Sequence, residues 1–515
     1  MNKVFVASFT RAAAAEIAGR NKNAENVGTL HAHGYRALGK TRKVAENKIA
    51  EWNEDHPHYA LGGGKNADVD EVSEFTAPQT DGDKLYAEMQ MNRTLMIPRE
   101  RWRAATRAFA TRWHDWKGVH GLLDYTDMIE IPYRDVNSAP GSPSVGFFDE
   151  AQDFTPLEFA LVRKWGAQMD YIVMCGDDDQ TIFAWAGARA EVMLEGEPAK
   201  KIVLEQSYRV PRTIHALAQK TIQSVRKREP KEYKPRDAEG EVRQAQGLNY
   251  RMPEGIISDI ERRYPDKKVM VLATCSYMLQ PLIAALRKRG IPFHNPYRRK
   301  AGAWNPLRTA AEGEVSSADR LLAFIEQVPY DYGWTPQGFE ALLNIEQFIS
   351  WYDILLAKGN IPRGEKEKII QQLRAVQAAG DEEMGVAGFL PFFERESEIW
   401  QYWSQPDRTI PAARWYAANV ASAKARALEF PLAVFERRGA EALKGEPKIV
   451  IGTIHSVKGG EADAVYVLPD LSYNGYLDKN SSADATDANT RLKYVAYTRA
   501  RESLILCGAA TAFTM

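Results

Sequence analysis

Short apolar runs recur along the chain, and several of them end in acidic or polar residues. The runs Val145–Asp149 and Tyr171–Gly176 are each followed by carboxylates, and this pattern predicts buried parallel strands. Similar runs are Val4–Ser8, Lys201–Leu204, Val269–Ala273, Ile449–Thr453, Ala464–Leu468 and Ser503–Cys507. Helical patterns lie between many of these runs, and strands that alternate with helices predict doubly wound α/β domains with parallel sheets.

Other stretches lack the strand pattern. Residues Pro306 to Lys444 carry long helical patterns, so we expect a helical insertion between two halves of an α/β domain. A helix is also expected over Arg11–Arg20, and a surface loop over the Gly-, Asn- and Asp-rich stretch Gly62–Asp83. The stretch Arg93–Lys117 predicts a helix with a basic face. That face is either solvated or in contact with nucleic acid, and the solvated face is the simpler interpretation.

Composition narrows the class of protein. The chain has 515 residues, of which 44% are hydrophobic and 26% charged, as in a globular protein with several domains. The formal net charge of −1 gives no overall positive field, so any nucleic-acid contact must come from local patches. The three cysteines lie far apart without CxxC spacing, which favours a reduced intracellular protein without a structural metal. No apolar run reaches the roughly 18 residues of a membrane span.

The strand at 145–149 delivers two adjacent carboxylates, Asp149 and Glu150, in the string FFDEAQD. In nucleotide hydrolases, the first such carboxylate holds Mg²⁺ and the second orients and deprotonates the attacking water. An isolated pair of this kind is more often an acidic surface turn. Here further motifs follow in order, namely CGDDDQTIFAW at 175–185, LEQSYR at 204–209, TIHSVKGGEAD at 453–463 and YVAYTRAR at 494–501.

Together these motifs resemble those of the UvrD/Rep/PcrA helicases of superfamily 1, in the order of that family. The strings FTRAAAAEI at 9–17 and GTLHAH at 28–33 resemble motifs Ia and Ib. LDYTDM at 123–128 resembles the short motif before the DEAQD box, and Val271–Phe293 resembles a strand–helix unit of the second motor domain. The resemblance implies an α/β fold with two RecA-like motor domains. The first would comprise residues 1–40 and 118–198, the second residues 199–305 and 445–515, with helical insertions at 41–117 and 306–444.

The resemblance also implies a site for ATP and Mg²⁺. Its catalytic residues would be Glu150 as the base, Gln180 beside the γ-phosphate or the attacking water, and Arg209 and Arg499. These arginines would approach the γ-phosphate from the second motor domain, where they stabilise charge on the transferring group.

The remaining nucleotide contacts are implied in the same way. Asp149 would hold Mg²⁺, Glu461 would bond the ribose, and Gly459 would let the backbone approach the nucleotide.

A second set of residues is implied for single-stranded DNA or a junction with duplex. Aromatic rings at three family positions would stack on bases, which tolerates any sequence. Polar side chains would lie near the DNA backbone. The full set is Phe9, Thr10, Thr29, His31, Phe183, Trp185 and His455. Ala186 stands where the family usually has an arginine, so one contact is in doubt. The resemblance further implies 3′→5′ polarity, a role in replication or repair, and the cytoplasm of a bacterial cell or phage-infected host.

One part of the family pattern is expected to be missing. The family carries the phosphate loop GxxxxGK[ST], or Walker A, on the order of 30 residues before motif Ia. Here motif Ia begins within ten residues of Met1. The string Gly62–Asn66 is rejected as a substitute because it lacks the Ser/Thr, the spacing and a preceding strand. We therefore expect the first motor domain to lack its N-terminal strand and phosphate loop.

Three explanations stay open. The true start lies upstream, a second N-terminal polypeptide supplies the loop, or the chain is a relic that no longer hydrolyses ATP. The otherwise intact catalytic set favours the first two. The main prediction is therefore an ATP-dependent DNA helicase or translocase motor that such a segment completes. The alternative is a non-catalytic protein, derived from a helicase, that binds single-stranded DNA or a partner.

Overall fold

The computed structural model describes residues 4–9, 26–62, 80–195, 198–298, 302, 304–308, 314–327, 342–404 and 412–515. The chain divides into two compact units. Unit 1 comprises Met1–Asn249, Met270–Ser276 and Gly452–Met515, and unit 2 comprises Tyr250–Val269 and Tyr277–Ile451. The expected helix Arg11–Arg20 lies outside the described residues.

The described strands and helices alternate along most of the chain. The strands are β1 (Val4–Ser8), β2 (Val27–Thr29), β3 (Lys43–Val44), β4 (Leu122–Leu123), β5 (Val145–Asp149), β6 (Tyr171–Met174), β7 (Gln206–Pro211), β8 (Lys234–Arg236), β9 (Glu241–Ala245), β10 (Val269–Ala273), β11 (Phe293–His294), β12 (Leu342–Asn344), β13 (Glu383–Gly385), β14 (Ile449–Thr453), β15 (Ala462–Val467) and β16 (Ala500–Cys507). The α-helices are Leu30–Ala37, Ile49–Asp55, Asp81–Thr94, Ala104–His120, Asp127–Asp135, Pro156–Gly166, Ala190–Leu194, Arg212–Ile222, Pro253–Arg263, Gln280–Lys288, Ser317–Gln327, Ile345–Tyr352, Lys366–Ala378, Val386–Phe389, Glu398–Ser404, Ala412–Ala418, Ser422–Arg438, Glu441–Lys444, Tyr473–Lys479 and Ala483–Tyr497.

The first sheet of unit 1 is parallel and has the order β2-β1-β5-β6. Its register places Ser8 beside Asp149, so motifs from distant parts of the sequence end at one edge. Phe5, Phe148 and Trp165 are fully buried in its core. Burying a side chain of this size stabilises the fold by about 1.5–3 kcal/mol. The core therefore fixes the position of the acidic loop that follows β5.

A second parallel arrangement in unit 1 has the order β10-β15-β16-β9. Ile454, directly after β14, donates its backbone N–H to the carbonyl of Ala273 at 3.0 Å. The motifs at 453–463 and 494–501 thus begin or end at the strands of this sheet. The predicted fold class, α/β with parallel sheets flanked by helices, is confirmed.

Unit 2 is mainly helical, as the pattern over Pro306–Lys444 predicts. Its core is aromatic, since Phe348 stacks on Phe389 with a centroid distance of 4.1 Å and Phe324 stacks on Tyr416 at 4.6 Å. One detail differs, because β12 and β13 form a short antiparallel pair within the expected helical region. Asn344, the last residue of β12, caps the following helix by accepting the N–H of Gln347.

Two predicted strands differ from the structure. Residues Lys201–Leu204 do not form a strand, because no described strand pairs with them, and Leu204 is 82% exposed. The run at Tyr171 does form β6, but it is not buried. All four of its residues are exposed, since β6 is the last strand of the described sheet.

The predicted helix Arg93–Lys117 is also wrong in its extent. It is the end of one helix, Asp81–Thr94, and most of another, Ala104–His120. Met96 has φ 55°, and Pro98 disfavours helical geometry at the residue before it, so the chain turns here. Most of the expected loop Gly62–Asp83 lies outside the described residues. Its last residues belong to the first of these helices, which Thr80 caps. In the described part of the chain, no helix combines the length and apolarity needed to span a membrane.

Candidate functional site

Glu150 stands at the turn that ends β5, with φ 54° in the left-handed region. Its carboxylate accepts a hydrogen bond from the side-chain amide of Gln152 and lies 3.4 Å from Lys458 Nζ. Burial alone would raise the pKa of Glu150. The Lys458 ammonium and the Gln152 amide outweigh burial, and they hold the pKa below its ordinary value. Glu150 is therefore kept as a carboxylate near neutral pH, as a general base requires.

Asp149, the last residue of β5, is half-buried beside Glu150. Burial, followed by the neighbouring negative charge, raises the pKa of Asp149. A cation here would relieve both effects. No cluster of three or more His, Cys, Asp or Glu side chains with metal-binding geometry occurs among the described residues. Mg²⁺ commonly takes only one or two protein carboxylates together with substrate phosphates and water, so Asp149 fits that ion.

Lys458 connects the acidic loop after β5 to the segment that contains Gln180. The sequence analysis assigned no role to this lysine. Its ammonium contacts the carboxylate of Asp153 and donates to the backbone carbonyl of Gln180 at 2.8 Å. The Lys458 side chain is 5% exposed and Asp153 is fully buried. The available signal was its position in TIHSVKGGEAD, the same string that supplies Gly459 and Glu461.

Arg499 is almost completely buried and is held by carbonyl groups. Its guanidinium donates to Val495 O at 3.0 Å, to Gly460 O at 3.3 Å and to Gln180 Oε1 at 3.0 Å. The Gln180 amide in turn donates to Asp177 Oδ2 at 2.7 Å. The structure therefore brings Arg499, Gln180 and, through Lys458, Glu150 into one continuous network.

A cleft of about 490 Å³ contains most of the other predicted nucleotide contacts. Its lining residues are Gln180, Gln206, Ser207, Tyr208, Arg209, Val210, Tyr233, Glu461, Tyr494, Thr498, Arg499 and Arg501. Glu461 accepts from Arg209 Nε at 2.7 Å and from Arg501. Burial opposes ionisation of Glu461, but these guanidinium groups lower its pKa. Gly459 has φ 84°, a conformation that favours glycine.

Three consecutive aspartates before Gln180 form an ion-pair cluster that sequence reasoning did not anticipate. Lys231 contacts all three, with a distance of 2.6 Å to Asp178 Oδ1. Arg228 makes a two-pronged contact with Asp179 at 2.6 and 2.8 Å. The loop that carries Gln180 is therefore anchored to the segment between Arg228 and Lys231.

The three predicted stacking residues lie together with His455. The ring of Phe183 lies 5.0 Å from Phe9 and 6.3 Å from Trp185, measured between centroids. His455 lies 6.1 Å from Trp185 and contacts Ile182 O through Nε2 at 3.2 Å. Phe183 is buried, whereas Phe9 and Trp185 are partly exposed. Bases could therefore reach Trp185 and Phe9 more readily than Phe183.

The other predicted DNA contacts are Thr29, His31 and Thr10. Thr29 is buried and caps the helix Leu30–Ala37, where its hydroxyl accepts the N–H of Ala32 at 3.2 Å. His31 is half-buried, with Nδ1 3.7 Å from a Glu158 oxygen. Thr10 lies outside the described residues.

One string that the sequence prediction did not consider, GYRALGKT at 34–41, has the letters of the phosphate-loop pattern. The structure places it at the wrong end of a helix. Gly34 lies within Leu30–Ala37, and the N–H groups of Leu38 and Gly39 bond back to Gly34 O and Arg36 O. Phosphate binding requires free N–H groups at a helix N-terminus, where the helix dipole is positive. This string is therefore not a phosphate loop.

Two family models match the chain. The UvrD/REP helicase N-terminal domain matches residues 1–201, and the UvrD-like helicase C-terminal domain matches residues 433–511. These matches cover the acidic loop after β5 and the segments that contain Lys458, Glu461 and Arg499. The matched parts therefore include every motif named above except LEQSYR and the strand–helix unit Val271–Phe293.

Curated bacterial proteins give the same result. The chain is 24% identical over 399 residues to "ATP-dependent DNA helicase PcrA" of Staphylococcus aureus, which covers 70% of this chain and 54% of the relative. It is 23% identical over 326 residues to "Probable DNA helicase II homolog" of Mycoplasma capricolum, which covers 57% of this chain and 45% of the relative. The chain thus spans about half the length of the curated relatives it matches. On its motifs, parallel sheets and family matches, the chain belongs to the UvrD/REP helicases of superfamily 1.

Proposed function

We propose that the chain is the main part of an ATP-dependent motor that translocates along single-stranded DNA and separates duplex, with 3′→5′ polarity. The observation that carries the proposal is the network from Glu150 through Lys458 and Gln180 to Arg499. A buried guanidinium and a carboxylate held ionised, both adjoining one glutamine, suit phosphoryl transfer to water.

The chemistry follows from the charges at the site. Glu150 would accept the proton of the attacking water. Arg499 and Arg209 would offset charge on the transferring phosphoryl group, an effect that is worth roughly 10³ to 10⁵ in rate for such arginines. Asp149 would hold Mg²⁺, whose charge would lie against the phosphates. In this arrangement Glu461 would exchange one of its guanidinium partners for the ribose.

DNA would lie across the aromatic group that includes Phe9 and Trp185. Stacking contributes about 1–3 kcal/mol per base whatever the sequence. The backbone contact between His455 and Ile182 O joins this aromatic group to the segment that follows Gln180. A change at Gln180 on ATP turnover could therefore be transmitted to the bound strand, as replication and repair motors require.

The proposal includes a phosphate loop supplied by polypeptide outside these 515 residues. The acidic loop, Gln180 and the arginines supply a base and positive charge. Among the described residues, no GxxxxGK[ST] string at a helix N-terminus supplies amides for the phosphates.

The test is DNA-stimulated ATP hydrolysis by the chain with a strand–GxxxxGKT–helix segment fused before Met1. We expect turnover that depends on single-stranded DNA, and a loss of at least about 10²-fold in Glu150→Gln. Tyr473→Ala, which removes an exposed side chain that contacts Phe513, is the matched control and should keep full activity. DNA binding without turnover in the fused protein, with no effect of Glu150→Gln, would support the non-catalytic alternative instead.

A further inference from the structure

The turn that contains Trp185 is a short 3₁₀ helix, Ala184–Ala186, which ends at Gly187 with φ 98°. The N–H of Gly187 donates to the carbonyl of Ala184 at 3.0 Å. The chain therefore reverses direction at this point, and the reversal brings the side chain of Arg189 back to the start of the turn.

The guanidinium of Arg189 bridges the two ends of this turn. Its Nη1 atom donates to Ala184 O at 3.2 Å and to Ala188 O at 2.8 Å. The backbone N–H of Arg189 donates to Phe154 O at 3.4 Å, which anchors the residue to the segment after the acidic loop. Because its backbone and its side chain are both held, Arg189 would lose little further freedom on binding a ligand.

The guanidinium of Arg189 nevertheless has no anion beside it. An arginine has five N–H donors, and the two hydrogen bonds of Arg189 both come from Nη1. In the part of the chain that the structure describes, its Nε and Nη2 atoms have no hydrogen-bond partner, and no carboxylate pairs with it. Arg93 and Arg228 are half-buried like Arg189, and each of those two contacts an aspartate. The unused donors of Arg189 therefore suit an anion from another molecule.

We propose that Arg189 binds a phosphate group of the single-stranded DNA whose bases stack near Trp185. A planar guanidinium matches two phosphate oxygens through paired N–H donors, which here are those of Nε and Nη2. The inference rests on the proposed function, because it takes DNA as the ligand of the aromatic group. It also gives Ala186 an explanation, since Arg189 supplies a guanidinium to the same turn in which the family usually has an arginine.

An arginine that only stabilised the turn would have a different effect on DNA binding. Its removal would displace Trp185 and weaken binding by the same factor at every salt concentration. A phosphate contact instead releases counterions from DNA, so its removal changes how steeply binding depends on salt. On a single strand, each such contact contributes about 0.7 to the slope of log K against the logarithm of the salt concentration.

The test measures binding of labelled oligo-dT to the full chain by fluorescence anisotropy, between about 50 and 200 mM salt. We expect the slope in Arg189→Met to be smaller by about 0.7, so that the affinity lost across this range is about two- to threefold smaller than in the wild type. The double variant Ala186→Arg, Arg189→Met moves the arginine within the turn and should restore the slope. Arg163→Met is the matched control and should keep the wild-type slope, because Arg163 also donates to two carbonyl groups, those of Val192 and Glu195.

A conservative variant separates the charge from the geometry. Arg189→Lys keeps the charge without the paired donors, so it should keep the slope and bind DNA with lower affinity. An unchanged slope in Arg189→Met would overturn the inference, even if affinity falls equally at all salt concentrations. The proposed function would survive that result as long as Trp185→Ala still weakens binding. No binding of oligo-dT by the unmodified chain would reject both.

Discussion

The ammonium of Lys458 lies 3.4 Å from the carboxylate of Glu150 and also contacts Asp153, which is fully buried. One cation therefore holds two acidic side chains of the string FFDEAQD in place. In the proposed motor, the same contact keeps Glu150 ionised, because Lys458 is the largest influence that lowers its pKa against the effect of burial.

We predict that Lys458→Met lowers the free energy of unfolding by about 1–3 kcal/mol, because the fully buried carboxyl group of Asp153 loses its hydrogen-bonding partner. Burial already raises the pKa of Asp153 to about 7, so this group becomes protonated in the variant and is not left charged. Urea denaturation at pH 7 measures this change. The double variant Lys458→Met, Asp153→Leu should recover much of the loss, since it also removes the buried polar group that Lys458 contacts. A single variant as stable as the wild type would contradict the arrangement.

For the string GYRALGKT we predict no effect of a substitution on nucleotide binding. Lys40 is exposed at the C-terminal end of a helix, so Lys40→Ala should leave binding of a fluorescent ATP analogue unchanged. A phosphate loop would lose binding, because its lysine reaches the β- and γ-phosphates. Loss of binding in Lys40→Ala would therefore show that the string contacts nucleotide.

Gly34, in the same string, is needed because the helix Leu30–Ala37 packs closely against the backbone of Met128. A Cβ atom at this position would lie 1.7 Å from the carbonyl oxygen of Met128. Gly34→Ala should destabilise the chain by at least about 1–3 kcal/mol, because the helix must shift to make room. At Gly39, where φ is 77°, a Cβ atom would come no closer than 3.9 Å to its nearest neighbour. Thermal unfolding of Gly34→Ala beside Gly39→Ala therefore separates crowding from backbone strain.

The basic stretch from Arg93 contains a buried ion-pair network. Arg93 contacts Asp124 at 2.9 Å and Asp127 at 2.6 Å, and Lys117 contacts both aspartates. Arg93→Met should cost about 3–5 kcal/mol of stability because it leaves buried carboxylates short of a cation. Arg107→Met, on the exposed side of the next helix, should change stability by no more than about 0.5 kcal/mol. Equal effects of the two substitutions in chemical denaturation would refute this assignment.

Periodicity and motif order predicted much of the fold. They did not predict which apolar runs find a pairing strand, because that depends on residues far away in the sequence. The strands at Val145 and Val269 formed as expected because both pair within parallel sheets. The run at Ile202 has the same apolar character, yet it forms no strand, since a strand requires a partner for its backbone groups. The contacts of Lys458 and Lys231 could not be predicted from the sequence either, because each joins a loop to residues far away in the sequence.

Acid should destabilise the chain through His33. Burial lowers the pKa of this imidazole to about 4, against about 6.5 in an unfolded chain. Between these values the unfolded state binds more protons, so stability is fully present above about pH 6.5 and is lost as the pH falls towards 4. His33→Phe keeps a ring against Phe5 and removes the titration. Between pH 7 and pH 4, the wild type should lose up to roughly 3 kcal/mol more stability than this variant in urea unfolding. Identical pH profiles would show that protonation of His33 does not change the free energy of unfolding.

The partly exposed ring of Trp185 gives the most direct test of the DNA surface. Its edge-to-face contact with His455 holds it beside Phe183, which is itself buried. Trp185→Ala should weaken binding of oligo-dT by about 1–3 kcal/mol, the value of one stacked base. Because stacking does not depend on sequence, oligo-dA should be affected to a similar degree. Tyr277→Ala removes another exposed aromatic side chain, in unit 2, and should bind both oligonucleotides normally. Fluorescence anisotropy at fixed salt measures all three proteins, and equal affinities would place the DNA elsewhere on the chain.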